Sequence, residues 1–304
     1  MSRATARANQ DRAELGIVLM LVAYLGFALV DTSVKWLVLA GVHALQLAFI
    51  RYAGAFAISL VGLLRGGLDR DSFRSDRLGL LLLRSAFLLS STVSNFIVLK
   101  YLPLTVTSAI MFSAPVIVCA LSMPLLGERV GAWRWGAIFL GFAGVLVVIR
   151  PFGQEFTWWA LLPLYNAFAM AMYSILTRKL SGVVPIETMQ LYIGLTGTIA
   201  MLPLAAVTWT NPTTALDWAL MLGLGPLAWV GHELLTRAHG FASSSTLMPY
   251  TYSFMLYLMV TGYLVFGDVP DAFTLVGALI IVVSGLVIWL RERGRSTTQT
   301  KPQG

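Results

Sequence analysis

The chain has 304 residues, is 58% hydrophobic and only 12% charged, and carries a formal net charge of +7. Its mean hydropathy is +0.79, and a soluble domain is about 25% charged, so a water-soluble fold is excluded and lipid is the solvent for most of the chain. The basic residues fall between apolar runs rather than along one surface, which argues against a nucleic-acid partner.

The basic segment Met1–Arg12 leads into an apolar run from Leu15 to Trp36. That run exceeds the roughly 7–15 residues of a signal-peptide core, so it reads as a first retained span. Further spans follow at 43–64, 77–99, 104–126, 131–149, 157–179, 186–208, 216–238, 244–266 and 272–290, the first covering 15–37. Gly66-Gly67, Pro103, Gly127-Glu128, Pro151, Pro185, Pro212 and Pro270 mark the breaks between them. Pro115, Pro163, Pro226 and Pro249 lie within spans, where each removes a backbone hydrogen bond and can bend its helix. Cys119 is the single cysteine, which excludes an internal disulfide. The polar tail from Arg291 reads as unstructured.

With ten spans and a cytoplasmic N-terminus, the segments after even-numbered spans collect most of the arginines, from Arg65 and Arg77 to Arg291 and Arg295. Only Lys35, Lys100 and Arg150 fall on the outer side, and Arg51 and Arg84 lie within spans. This bias places both termini inside. Trp36, Trp133, Trp135, Trp158, Trp159, Trp209, Trp218 and Trp289 cluster at span ends as an interfacial belt, while Trp229 lies deep in a span.

The halves resemble each other. Gly136-Ala137 and Gly144 match Gly277-Ala278 and Gly285, Gly127-Glu128 matches Gly267-Asp268, and Gln46-Leu47 matches Gln190-Leu191. Each half holds five spans, and because five is odd the second half enters the membrane inverted. The expected organisation is a cytoplasmic segment 1–14, a first five-helix repeat 15–150, a second 151–290 and a cytoplasmic tail 291–304. The fold class is an all-α membrane protein of ten transmembrane helices in two inverted repeats around a central cavity.

Polar residues seven apart share a helix face. Such stripes run through Tyr24, Asp31 and Lys35; Arg84, Ser91 and Asn95; Asn166, Tyr173 and Thr177; Trp229, His232, Glu233 and Thr236; and Tyr250, Ser253, Tyr257 and Thr261. Polar side chains are costly in lipid, so the stripes either line a substrate path or hydrogen-bond helices together. The substrate-facing candidates are Tyr24, Ser91, Asn95, Met111, Asn166, Tyr173, Trp229, His232, Tyr250 and Tyr257. The gating or coupling candidates are Asp31, Arg51, Arg84 and Glu233. Asp31 can pair with Lys35 one turn on or with Arg51 across helices. Arg84 can reach Glu233 as part of an inner gate, or Glu233 can pair with Arg237.

The stretch LKYLPLTVTSAIMFSAPVIVCALSMPLLGERV, Leu99 to Val130, followed by WRWGAIFLGFAGVLVVIRP, resembles the drug/metabolite transporter superfamily, specifically its EamA-type transporters. AHGFASSSTLMPYTYSF, FGDVPD and VGALIIVVSGLVIWLRER resemble a second copy, with Asp268 where Gly-Glu is commoner, and LQLAFIRYAGAF resembles the family's second span. The resemblance implies a ten-helix inverted-repeat transporter in a bacterial inner membrane, moving metabolites such as amino acids, often outward. The aromatic stripes fit a bulky, partly apolar ligand, and amino acids are the expected cargo, bulky or aromatic ones favoured and export the favoured direction. Proton-coupled export of drugs or other metabolites is the alternative.

Other functions lack their chemistry. His43, His232 and His239 lie in different regions, and neither His-Glu-x-x-His nor Gly-x-Ser-x-Gly occurs, so no enzyme is expected. No Gly-x-x-x-x-Gly-Lys-Ser/Thr loop binds ATP. No cofactor or metal is expected, and the partners are a small-molecule substrate and the bilayer, with the protein a monomer or homo-oligomer.

Overall fold

Inside a bilayer no water meets backbone N–H and C=O groups, so each apolar run must satisfy them within a helix. A computed structural model of the chain, describing residues 3–66, 76–126, 132–150, 156–180, 183–241 and 247–299, is helical throughout, with no strand among the described residues. The helices are α1 (Arg3–Leu39), α2 (Ala44–Gly66), α3 (Leu78–Val98), α4 (Leu104–Met111), α5 (Ala114–Leu126), α6 (Ala132–Ile149), α7 (Leu161–Leu180), α8 (Ile186–Val207), α9 (Ala215–Phe241), α10 (Ser253–Phe266) and α11 (Ala272–Gln299). Short 3₁₀ turns, Trp158–Ala160 and Met248–Tyr252, precede α7 and α10. Windows within α1, α2, α3, α7 and α8 are long and apolar enough to cross a membrane, and shorter apolar helices cover the fourth, fifth, ninth and tenth spans. α9 is equally long but carries Asp217, His232, Glu233 and Arg237.

Two spans are interrupted. The fourth breaks between α4 and α5, where the Ser113 N–H turns back to Ile110 O at 3.0 Å and Pro115 has no N–H to return to Met111 O. The ninth begins as the Met248–Tyr252 turn, which holds Pro249, before α10 continues it. Under the repeat these two spans correspond. Gly127-Glu128 and Pro151 lie outside the described residues, as do the side chains of Trp133, Cys119 and Trp289. The polar tail differs from expectation: α11 runs on to Gln299.

The packing follows the repeat. α1 packs against α9 and α10, and its counterpart α7 packs against α3 and against α4 and α5. α2 packs on α8, and α6 on α11. Exchanging the halves turns each pairing into another or into itself, which is the signature of a pseudo-two-fold axis. The α6–α11 pair is held by close backbone approach: a Cβ on Gly277 would sit 2.7 Å from Gly144 O, and one on Gly144 would sit 2.9 Å from Gly277 O. Ser284 Oγ donates to Ala137 O at 2.6 Å across the same pair. Small residues let helices approach where lipid offers no hydrophobic drive. α2 and α9 use the same device at Gly54 and Gly225.

Outward faces are apolar, as at Phe139 and Leu264, and Trp135, Trp158, Trp159, Trp209 and Trp218 lie exposed at span ends. In the loop before α11, Asp271 pairs with Arg150 and accepts the Thr274 N–H at 2.8 Å. Partial burial works to raise its pKa, but the Thr274 hydroxyl and N–H and the Arg150 guanidinium outweigh it and hold the carboxyl below the usual range.

Candidate functional site

The seven-residue stripes of α3 and α7 face each other. Asn95 Nδ2 donates to Asp31 Oδ1 at 3.1 Å, bringing in α1. Asn166 Nδ2 approaches Asn95 Oδ1 at 3.4 Å, and Ser91 Oγ donates to Asn166 Oδ1. Asp31, Asn95, Asn166 and Ser91 thus form one buried polar chain across three helices, with Asn166 only 1% exposed. Each amide serves as both donor and acceptor, which is how a buried chain avoids the cost of orphaned polar groups.

Two turns along the same seam, Arg84 is also buried. Its Nε donates to Thr177 Oγ1 at 2.7 Å, its Nη2 to Tyr173 OH at 2.8 Å and its Nη1 to Met189 O at 3.2 Å. The Tyr173 ring lies 4.5 Å from the guanidinium. Arg51 Nη1 donates to Thr92 Oγ1 at 2.9 Å, and Tyr52 OH shares that hydroxyl at 2.8 Å. Arg51 and Asp31 interact through space without a hydrogen bond between them.

Beside this polar chain, α1 also carries an aromatic cluster that reaches α9 and α10. Phe27 lies 4.9 Å from the His232 ring and 6.1 Å from Tyr24, and Tyr24 lies 5.9 Å from Phe254. Phe112, at the break of the fourth span, packs 5.2 Å from Tyr252 of the ninth. The two interrupted spans therefore meet. Discontinuous helices at matching places in two repeats are where transporter folds build their sites. Met111, Tyr173 and Tyr257 pack against the same core.

Several candidates lie apart. Tyr250 is exposed, and its carbonyl accepts from Ser253. Trp229 is half-buried one turn before His232 and stands outside the core cluster. Glu233 pairs with Arg237 at 2.8 Å, so the Arg84–Glu233 link is not formed. Lys35 does not turn to Asp31: it pairs with Asp268 in the loop after α10, with the Phe266 ring 4.7 Å away. Thr32 Oγ1 donates to Thr261 Oγ1 at 2.8 Å beside it. Sequence reasoning missed Tyr52, Thr92, Phe27, Phe112 and Phe254. Phe27 and Phe254 sit beside polar stripe positions, a signal that was present but shared with every apolar residue nearby.

A ten-span inverted-repeat bundle with a polar chain at its centre defines a membrane transporter rather than an enzyme. The chain belongs to the EamA-like transporter family, which matches residues 14–150 and 157–290. Among similar proteins, a riboflavin transporter of Vibrio cholerae is 31% identical, the match covering 92% of this chain and 95% of that one. An S-adenosylmethionine uptake transporter of Rickettsia bellii is 26% identical, covering 83% and 85%, and a pseudopaline exporter of Pseudomonas aeruginosa is 26% identical, covering 93% and 99%. A solved crystal structure matches with a TM-score of 0.62 at 16% identity over 97% of this chain and 99% of that one, which shows a shared fold. These relatives carry different metabolites, and the chain is a multi-pass membrane transporter of small molecules.

Proposed function

We propose that this transporter carries a bulky, planar aromatic metabolite, with riboflavin the first substrate to test. The observation that carries this reading is an aromatic cluster (Tyr24, Phe27, Phe254) and a buried polar chain (Asp31, Asn95, Asn166, Ser91) that meet on α1. A flat ring presents apolar faces and hydrogen-bonding edges, and the two surfaces suit those two demands. Similarity to riboflavin transporters of Vibrio cholerae and Rhizobium johnstonii supports it.

The halves 15–150 and 151–290 rock about the polar chain, opening it to each side in turn. With both termini cytoplasmic, Lys35–Asp268 and Thr32–Thr261 close the outer side, since breaking them frees α1 from α10. Export of bulky neutral amino acids is the second reading. The opposed Asp31 carboxylate and Arg51 guanidinium favour it, because they match the ammonium and carboxylate of a zwitterion.

Uptake into proteoliposomes separates the two. Labelled riboflavin and labelled phenylalanine are each offered with and without a proton gradient. Saturable riboflavin uptake is expected; uptake of phenylalanine alone would establish the second reading, and movement of neither would overturn both.

A further inference from the structure

Asp31 is buried inside the bundle on α1. Among the described residues, Asn95 Nδ2 is the one hydrogen-bond donor that reaches it, and no Lys or Arg joins it as an ion pair. Lys35, one turn along the same helix, is drawn to Asp268 instead. Arg51 is held by the hydroxyl of Thr92, one turn from Asn95 on α3. The other ionisable groups that the packed elements bring to α1 are Tyr52 on α2, Arg84 about three turns from Asn95 on α3, His232 and Asp217 on α9, Tyr252 in the turn before α10, and Tyr257 on α10. Arg84 is engaged by Thr177, Tyr173 and Met189, and Asp217 by Trp36 at the helix end.

A carboxylate buried in a bilayer without a counter-charge is expensive, and such groups persist where a proton or a ligand uses them. An asparagine at position 31 would accept the Asn95 N–H equally well, so the hydrogen bond alone does not require an acid. The bonds behind Asp31 all run one way. Ser91 donates to Asn166, Asn166 donates to Asn95, and Asn95 donates to Asp31. A chain with every donor directed at one carboxylate responds to the charge at that end. Charge-assisted hydrogen bonds are about twice as strong as neutral ones, and bonds in series polarise one another. α1 and α3 belong to the first repeat and Asn166 to the second, so this chain crosses the join between the halves. Asp31 also lies beside the Thr32–Thr261 bond and one turn from Lys35–Asp268, the links that close the outer side in the proposed cycle.

We infer that Asp31 takes up and releases one proton in each transport cycle, coupling substrate movement to a proton gradient. The proton adds to a carboxylate oxygen from water on one side of the membrane and leaves from that oxygen to water on the other. No other bond is made or broken, and no further reactant is needed. With Asp31 ionised, the chain ends on a charge and holds α3 to α7. With Asp31 protonated, it ends on a neutral acid, the join loosens and the halves rock. Coupling of this kind serves whichever metabolite is carried, and riboflavin is its probe.

Two measurements test it. Infrared difference spectra of the purified protein in lipid, taken between acidic and alkaline buffer, should contain a protonated-carboxyl C=O band that Asp31→Asn removes and Asp31→Glu shifts. In proteoliposomes with the membrane potential clamped by potassium and valinomycin, a gradient of about one pH unit should hold a steady riboflavin ratio of about tenfold across the membrane, the limit for one proton per substrate. The sign of that ratio tells whether substrate and proton move together or in exchange. Asp31→Glu should keep the ratio away from one, and Asp31→Asn should abolish the response to the gradient. Equilibration of riboflavin to a ratio of one in the wild type overturns the coupling and leaves the riboflavin reading intact, and a tenfold ratio that survives Asp31→Asn overturns it as well. If no riboflavin moves, the riboflavin reading falls, and the infrared band decides the role of Asp31: a spectrum that Asp31→Asn does not change overturns it.

Discussion

The α3–α7 and α1–α9 seams exchange under the pseudo-two-fold axis, yet their buried centres differ, although Phe87–Phe168 also joins the first and Trp36–Asp217 the second near its end. The first is joined by amides, a serine hydroxyl and a buried guanidinium. The second is joined by rings, with Phe27 packed so tightly on α9 that a Cβ at Gly231 would sit 2.7 Å from its ring. The backbone pairing is symmetric, which is what the proposed rocking of two equivalent halves requires. Under the proposed function, the unlike linings serve a substrate with a ring at one side and polar groups at the other.

Asn95→Leu should break this contrast most severely. It removes the one hydrogen-bond donor that reaches the buried Asp31 carboxylate among the described residues, and the acceptor of Asn166, so stability in detergent should fall by about 2–3 kcal/mol. A thermal melt reads that loss, and transport should vanish with it. Gly277→Ala strikes the shared scaffold instead. The new methyl meets the backbone oxygen of Gly144 at 2.7 Å, so about 1–3 kcal/mol of overpacking is expected, with substrate affinity per folded molecule unchanged in a binding titration.

Neutralising Lys35 or Asp268 should leave the fold intact but free the Lys35 end of α1 from α10, the outer end under the proposed orientation. A cysteine placed near Thr32 should then react faster with a membrane-impermeant thiol reagent, and reversing both charges together should slow it again. Glu233→Gln should do least. Its pair with Arg237 is exposed and lies within one helix, worth about 0.5 kcal/mol or less, and a double change with Arg84 should show no coupling. Appreciable coupling would restore an Arg84–Glu233 gate in another state.

Much of this architecture was legible. Apolar runs fixed the spans because the bilayer sets their length, and α2, α3, α7 and α8 begin and end within a few residues of expectation. The seven-residue spacing put Ser91, Asn95 and Asn166 on facing stripes, and the structure joins them. Partner choice among charges was not legible. Lys35 has Asp31 one turn away along its own helix, but Asp268 reaches it from a loop more than two hundred residues later in the chain. Sequence spacing reports only neighbours on one helix, and helix rotation decides the rest. Arg84 likewise found hydroxyls on α7 rather than a carboxylate on α9. Phe27 and Phe112 were invisible for a different reason: an aromatic residue in a membrane helix reads the same whether it faces lipid, a neighbour or a substrate.

The most direct test is a riboflavin titration of the purified protein, followed by quenching of flavin fluorescence, with Phe27→Leu on the aromatic seam, Ser91→Ala on the polar seam, and both together. Weakened affinity in each single variant, and further weakening in the double, is the expected result if the two seams hold opposite sides of one ligand. Unchanged affinity in all three would contradict a substrate site between them.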